Sequence, residues 1–230
     1  MISVFHDVIQ AVLPRRCVAC GRPLDRHEQH WCSICAFSWL RQSPTGLNRF
    51  EHRMEWAFGW SWLAMAGHTE RGLTHALKYS GDPSLGIALG MTMAQEWASA
   101  KRHVRHSATS SWIVVPVPLH PRRQRKRGYN QSMQLARGWS KHTGMSIASL
   151  CIRSDPGRSL TRSNRRQRMA RKELPFSWQN KNALLPPATP GLIIIDDVVT
   201  TGSTLESMYC TLRKHWTGPV AFVTLADAGQ

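Results

Sequence analysis

The chain has 230 residues, an apolar fraction of 42% and a formal net charge of +16. This composition suits one medium-sized domain, or one domain with a small appendage, and excludes a disordered chain. The longest apolar run, "WIVVPVPL", is too short to cross a bilayer, and the first residues carry Asp7 without a basic segment, unlike a secretory signal. We therefore expect a cytoplasmic protein without a membrane span.

The positive charge is concentrated in one part of the chain. Between Ile113 and Phe176, fifteen Lys and Arg residues stand against two acids, Asp155 and Glu173. A local excess of this kind predicts a polyanionic ligand, such as pyrophosphate, another phosphate compound or nucleic acid. The alternative is a basic surface that is simply solvated.

Four of the six cysteines form two C-x-x-C pairs near the N-terminus, "CVAC" and "CSIC". In a cytosolic chain this spacing indicates metal ligands rather than disulfides, and four thiolates match the tetrahedral coordination of a structural Zn²⁺. The alternative is a pair of redox-active dithiols. The predicted zinc ligands are Cys17, Cys20, Cys32 and Cys35.

Helices and strands alternate along the chain, and a polar break at residues 41–49 follows the cysteine pairs. The predicted helices cover residues 4–13, 69–81, 84–100, 130–144 and 203–216. The predicted strands cover residues 56–67, 112–119, 146–153, 191–198 and 219–227. Residues 156–172 are basic, have no apolar face and are predicted to form a mobile loop. The alternation predicts an α/β fold with a mainly parallel sheet and a small N-terminal zinc-knuckle domain.

The segment "LIIIDDVVTTGSTL", residues 192–205, leads from a predicted strand through a loop into a helix. Ligands of such sheets bind at the carboxyl ends of the strands, and free N–H groups at a helix start attract phosphate. The predicted phosphate-binding residues are Thr200, Thr201, Gly202, Ser203 and Thr204. Asp196 and Asp197 suit the hydroxyl groups of a ribose with a hydrated Mg²⁺ nearby, and the alternative is helix capping. Together these features predict a ribose-5-phosphate compound as the ligand.

The run "IIIDDVVTTGSTL" closely resembles the phosphoribosyl-diphosphate (PRPP) binding motif of type I phosphoribosyltransferases. Together with "VLPRRC", "LKYSGD" and "VPVPLHPRRQRKRGYNQS", it makes nearly the full chain resemble the ComF/GntX family of competence and DNA-utilisation proteins. The resemblance implies a zinc-binding segment over residues 1–48, similar to a double zinc ribbon. It also implies a sheet of the type I phosphoribosyltransferase kind in a domain over residues 49–230.

The resemblance also implies roles for particular residues. Asp196 and Asp197 would contact the ribose hydroxyls of PRPP, Thr200–Thr204 would hold its 5-phosphate, and Mg²⁺ would accompany PRPP. The pyrophosphate side would lie in the strand "VVPVPL" and the loop after it, with Gly128 opening the next helix. The basic residues assigned to that side are Arg122, Arg123, Arg125 and Arg127. Lys78 lies in the "LKY" element, and the alternative is a surface lysine.

Two departures from the family pattern stand out. No cysteine pair follows the first four cysteines, so one zinc ion is expected. Residues 158–172 would form a flap over the site, but the stretch 158–176 lacks the glutamine near its start and the asparagine before the phenylalanine that are typical of the family.

Three functions fit these features. The first is a DNA-uptake or DNA-utilisation factor that keeps a PRPP site and contacts single-stranded nucleic acid or DNA-uptake proteins. The second is an active phosphoribosyltransferase that joins PRPP to a nucleobase or another acceptor. The third is a PRPP-sensing regulator without catalysis. No residues can be assigned to recognition of a base, and the basic segment exceeds what one PRPP needs, so we favour the first.

Overall fold

The computed structural model describes residues 14–42, 55, 58–100, 111–154, 174–179 and 190–229. The helices are α1 (Ser33–Ser38), α2 (His68–Tyr79), α3 (Pro83–Ala100), α4 (Pro121–Arg127), α5 (Gln131–Thr143) and α6 (Ser203–Arg213). The strands are β1 (Gly59–Ala64), β2 (Trp112–Pro116), β3 (Cys151–Arg153), β4 (Phe176–Trp178), β5 (Gly191–Val199) and β6 (Val220–Asp227). Among the described helices, none is both long and apolar enough to cross a membrane.

A four-stranded parallel sheet in the order β1-β6-β5-β2 forms the centre of the protein. The two middle strands are covered on both faces, and so their sequences read as continuous apolar runs rather than as alternating patterns. The prediction of an α/β fold with a mainly parallel sheet is therefore confirmed. The predicted helix at 4–13, the domain boundary at 48/49 and the basic stretch at 156–172 lie outside the described residues.

The predicted strand at 146–153 is largely wrong. Ile147 makes an isolated parallel bridge to Val114, and the strand itself, β3, covers three residues. β3 pairs antiparallel with β4, a strand that the sequence did not indicate, and the two form a separate small sheet. Strands of three residues are too short for an alternating pattern to be recognised.

The basic segment after β2 forms a short helix, α4, and not the loop that the sequence predicted. The Nδ1 atom of His120 accepts a hydrogen bond from the N–H of Arg122 at 3.2 Å, and Pro121 occupies the first helical position. Gly128, with a φ of 82°, ends this helix and does not open the next one. Arginine and lysine are good helix formers, but a helix without an apolar face has no periodic signal.

The cysteine-containing segment packs against the main body of the protein. Its buried residues, among them Cys17 and Trp39, belong to the same apolar cluster as Trp62 of β1 and Leu73 of α2. Arg41 pairs with Leu63 at the free edge of β1. The described part of the segment therefore shares a hydrophobic core with the parallel sheet.

Helices α3 and α5 cross at unusually short range because glycines stand at the crossing point. A Cβ atom added at Gly138 of α5 would overlap the carbonyl oxygen of Ile87, and one at Gly90 of α3 would overlap that of Leu135. The glycines in the predicted helix at 84–100 thus have a packing role. This crossing fixes α5, whose first turn contributes to the site described below.

We predict that Gly138→Ala destabilises the protein. The added methyl group has no room, and overpacking of this kind costs about 1–3 kcal/mol, more than the helix-propensity gain of up to about 1 kcal/mol. Urea denaturation would measure the change in the free energy of unfolding. Gln95→Ala, at an exposed position of α3, is the matched control and should change it by less than about 0.5 kcal/mol. Equal stabilities of the wild type and the Gly138→Ala variant would contradict the prediction.

Candidate functional site

A cavity of about 210 Å³ opens beside the carboxyl-terminal half of β5. We call it the acidic cavity, because Asp196 and Asp197 lie in its wall. Its other walls come from the end of α2, the segment after β2, the start of α5, and residues of β3 and α6. The site therefore lies on the side of the sheet where the sequence placed it.

The two aspartates lie within β5, which continues to Val199, one residue beyond the predicted strand. Both are buried, with exposed fractions of 8% and 9%. Asp196 lies opposite Thr224 of β6 in the sheet register. The Oδ1 atom of Asp196 accepts hydrogen bonds from the Ser132 hydroxyl and from the Asp197 N–H, each at 2.9 Å.

Asp197 has its own set of donors. Lys78 Nζ lies 3.3 Å from its Oδ2 atom, and Gln131 Nε2 donates to the same oxygen at 3.3 Å. The Val198 N–H donates to Oδ1 at 2.9 Å. Lys78 therefore belongs to the site through an ion pair with Asp197 and is not a simple surface lysine.

Burial raises the pKa of Asp196 to about 7, and the neighbouring charge of Asp197 adds to the rise. The hydrogen bond from Ser132 acts in the opposite direction and is too weak to cancel the effect. The site thus contains one acidic side chain paired with a lysine and a second whose raised pKa favours the protonated form more than in an ordinary aspartate. Such a pair favours a ligand that brings hydroxyl donors or a cation.

The structure brings some of the predicted basic residues to the acidic cavity. Arg123 and Arg127 line it, whereas Arg122 and Arg125 do not. Residues four apart share a face of a helix, so the helical form of α4 separates these two sets. The guanidinium of Arg127 also lies over the Tyr79 ring, 5.3 Å from its centroid.

Arg153 of β3 also lines the acidic cavity, and the sequence did not indicate it. It lies far along the chain from the recognised motifs, on a strand whose pairing was not predicted. A single arginine in such a segment carries no pattern from which its position could be inferred.

The loop between β5 and α6 contributes less of the wall than expected. Of the five predicted phosphate-binding residues, Thr204 lines the cavity, while Thr200, Thr201, Gly202 and Ser203 lie outside its wall, in the approach to α6 and its first residue. Gly202 has a φ of 78°, a conformation that glycine adopts without strain. The Thr201 hydroxyl donates to the Ser203 hydroxyl oxygen at 3.2 Å, which orders the turn.

Three residues in "GYNQS" complete the site, and the sequence analysis gave none of them a role. Gln131 and Ser132 bind the two carboxylates as described above. Asn130 caps α5, with its Oδ1 accepting from the Ser132 N–H at 3.1 Å, and its Nδ2 donates to the Val117 carbonyl at 3.0 Å. The sequence feature that could have indicated these three residues is Asn130, a typical N-cap residue at the start of the predicted helix. The first turn of such a helix faces the carboxyl edge of the sheet.

The four N-terminal cysteines come together as predicted. Their sulfur atoms all lie within 4.8 Å of one another, and Cys20 Sγ and Cys32 Sγ are 3.8 Å apart. A tetrahedral ion with bonds of about 2.3 Å needs sulfur atoms about 3.8 Å apart, so the cluster could hold a metal ion. At Cys17 burial opposes ionisation, but backbone hydrogen bonds, first that of Cys32, outweigh it and lower the pKa to about 7.

The sequence of the chain is similar to those of several competence and DNA-utilisation proteins. No protein-family model matches the chain. It is 28% identical over 205 residues to Competence protein F of Haemophilus influenzae, covering 86% of this chain and 78% of that protein. It is 32% identical over 143 residues to the DNA utilization protein YhgH of Salmonella typhimurium, covering 62% of this chain and 60% of that protein. The chain is a homologue of competence and DNA-utilisation proteins.

The predicted resemblance to the ComF/GntX family is thereby confirmed. The competence protein ComFC of Bacillus subtilis is a further homologue, 29% identical over 122 residues, which are 50% of this chain and 44% of that protein. The chain thus spans less than two thirds of the length of the YhgH and ComFC proteins that it matches.

Two solved structures illustrate the structural likeness of this chain to known proteins. One is the glutamine PRPP amidotransferase of B. subtilis, with a TM-score of 0.42 and 18% identity, covering 66% of this chain and 30% of that one. The other is the hypoxanthine phosphoribosyl transferase of Trypanosoma cruzi, with a TM-score of 0.34 and 13% identity, covering 69% and 66%.

We predict that Asp196→Asn stabilises the protein at pH 8 more than at pH 4. In the folded chain the pKa of Asp196 is about 7, whereas the ordinary pKa of an aspartate is 3.8. Between pH 3.8 and about pH 7 the folded state binds one more proton than the unfolded state, so the free energy of unfolding falls as the pH rises through this range and is constant above it. The variant has no carboxyl group at this position and does not lose this stability. Thermal melting of both proteins at several pH values would measure the difference.

Asp82→Asn is the control with the opposite sign. At Asp82 burial acts to raise the pKa, but hydrogen bonds from Ser84 and the charge of His30 lower it overall. That variant should lose stability at neutral pH and not at low pH. A difference between wild type and Asp196→Asn that stays constant across the pH range would contradict the prediction.

Proposed function

We propose that this protein is a competence-type DNA-utilisation protein that binds PRPP in the acidic cavity. The observation that supports this most strongly is the pairing of two adjacent buried carboxylates with a cavity wall that also carries Lys78, Arg123, Arg127 and Arg153. Carboxylates accept hydrogen bonds from ribose hydroxyls, and guanidinium groups match pyrophosphate oxygens. A sugar that carries a pyrophosphate satisfies both halves of the cavity.

In this proposal each end of PRPP has its own contacts. Asp196 and Asp197 accept from the ribose hydroxyls, and the turn at 200–204 donates its N–H and hydroxyl groups to the 5-phosphate. Arg123 and Arg127 bind the pyrophosphate, and Lys78, which is paired with Asp197, lines the same cavity. The carboxylate oxygens are hard donors of the type that suits Mg²⁺, so the two aspartates would hold that ion, and Mg²⁺ would neutralise pyrophosphate charge.

We predict that Asp196→Asn combined with Asp197→Asn weakens Mg·PRPP binding at least tenfold, about 1.4 kcal/mol. The amides keep the shape of the carboxylates and can no longer accept as charged groups from ribose or Mg²⁺. Isothermal titration calorimetry would measure the affinity. Asp25→Asn, at an exposed acid in the cysteine-containing segment, is the matched control and should bind PRPP as the wild type does. Unchanged affinity in the double variant would overturn the assignment.

We also propose that the cysteine cluster holds one structural Zn²⁺. Four thiolates leave no open coordination position, which argues against a catalytic ion. A cluster of reduced thiols fits a cytoplasmic location, where disulfides are rare. We retain the division into a zinc-binding segment at 1–48 and a phosphoribosyltransferase-like domain at 49–230 as part of this proposal.

We expect about one zinc ion per chain in protein purified without chelator, and loss of that zinc in Cys20→Ser or Cys35→Ser. Cys210→Ser, which changes a cysteine outside the cluster, should retain the metal. Elemental analysis would measure the zinc content of the wild type and the variants, and a thiol titration would measure their free cysteines. A wild-type protein that folds normally with no metal bound would refute the zinc proposal.

The DNA part of the proposed function has two supports. The relatives in Haemophilus and Salmonella are named for competence and for DNA utilization. In addition, residues 158–172 carry seven Lys and Arg residues and no acid, a surplus over the needs of one PRPP. An active transferase or a PRPP sensor would also bind PRPP. These alternatives would show no affinity for single-stranded DNA, and the transferase would release pyrophosphate in the presence of its acceptor.

A further inference from the structure

A second, larger cavity of about 750 Å³ lies on the other side of the segment that joins β2 to α5. We call it the amide cavity. It shares part of its wall with the acidic cavity, since Pro118, Leu119, Asn130 and Arg153 line both. The remainder is formed by α4, α5 and the short β3–β4 sheet. A ligand in the amide cavity would therefore lie next to the side of the acidic cavity that carries the basic residues.

The described lining of the amide cavity contains no aspartate or glutamate. Its basic residues are His120, Arg137 and Arg153. Arg137 is held in place by Gln134, a buried residue of α5 whose Oε1 accepts from Arg137 Nη1 at 3.2 Å. A guanidinium that is already held in one position loses less conformational entropy when it binds a ligand. The charge of the wall favours an anionic ligand such as a phosphodiester.

The uncharged part of the lining combines amide groups with apolar surface. Gln124 and Gln179 line the cavity together with Tyr129 and Ile152, and Ile152 is 44% exposed although it is a large apolar residue. Nucleobases have flat apolar faces and hydrogen-bonding edges, and amide side chains pair with those edges. The volume falls in the range of about 300–1,000 Å³ that is usual for ligand sites.

We infer that the amide cavity binds a segment of single-stranded DNA, with phosphates at Arg137 and Arg153 and a base against Ile152. The inference rests on the DNA part of the proposed function and names the site for it. A mononucleotide shares this chemistry, but two arginines, Arg137 and Arg153, in one cavity suit the successive phosphates of a chain better than the single phosphate of a mononucleotide. Because the two cavities share a wall, the bound strand lies beside the pyrophosphate side of the PRPP site.

The test is fluorescence anisotropy of a labelled oligo(dT) with the full chain, across a salt series, in two variants. Arg137→Gln removes a phosphate contact, and Ile152→Glu places a negative charge against the strand. Each should lower the affinity for the oligonucleotide about tenfold, and Arg137→Gln should flatten the log–log salt slope by about 0.7. Neither residue lines the acidic cavity, so both variants should bind Mg·PRPP as the wild type does, which also shows that they fold.

The controls separate the failure of this inference from that of the proposed function. Arg71→Gln, at an exposed arginine of α2, changes the net charge equally and should leave DNA affinity nearly unchanged.

If the wild type binds the oligonucleotide and both cavity variants bind it equally well, the amide cavity is not the site, although DNA binding stands. If Arg71→Gln weakens binding as much as Arg137→Gln, the attraction is a general charge effect and the inference fails. If the wild type does not bind at about 50 mM salt, the DNA function fails as well. If dTMP binds as tightly as the oligonucleotide, the ligand of the amide cavity is a mononucleotide and the inference of a DNA strand is wrong.

Discussion

The burial of two adjacent carboxyl groups in the middle of a parallel sheet is the constraint on which the site depends. Neighbouring charges of one sign in a dry environment are costly, so each group needs donors close by. β5 supplies backbone N–H groups, α5 supplies Ser132 and Gln131, and α2 supplies Lys78. Three separate elements must therefore meet at one point, and their mutual packing is part of the chemistry of the site.

Two kinds of contact bring these elements together. Glycines at the crossing of α3 and α5 let the helix backbones approach closely, which sets α5 against the sheet. The segment before α5 is then tied on both sides: the Tyr129 hydroxyl donates to the Leu77 carbonyl of α2 at 2.8 Å, and Asn130 Nδ2 donates to the Val117 carbonyl. Lys78 follows Leu77 directly. The same ties therefore align the lysine, the first turn of α5 and the basic helix α4 around one cavity.

The sequence predicted those parts of the protein whose patterns are local. Apolar runs indicated the central strands, and the aspartates with the Thr/Gly/Ser loop indicated the carboxyl edge of the sheet. The predicted strand already ran through both aspartates, but their depth was not predictable, because the elements that cover them, α2 and α5, come from other parts of the chain. The sequence assigned Arg123 and Arg127 to the site but did not predict the helix α4 that carries them. It also missed β4 and the position of Arg153, for the related reason that short elements have no period.

The division of charge between the two cavities follows from the same arrangement. Both acids of β5 turn to one side of the segment that joins β2 to α5, and on that side their charge is balanced by Lys78 and nearby arginines. The described lining on the other side has no acid to offset Arg137, and Arg153 stands in the wall common to both. A ligand that brings hydroxyl donors relieves the cost of the buried carboxylates, whereas a purely anionic ligand is repelled by them. The same joining segment thus borders one cavity with two acids in its wall and another whose described lining has none.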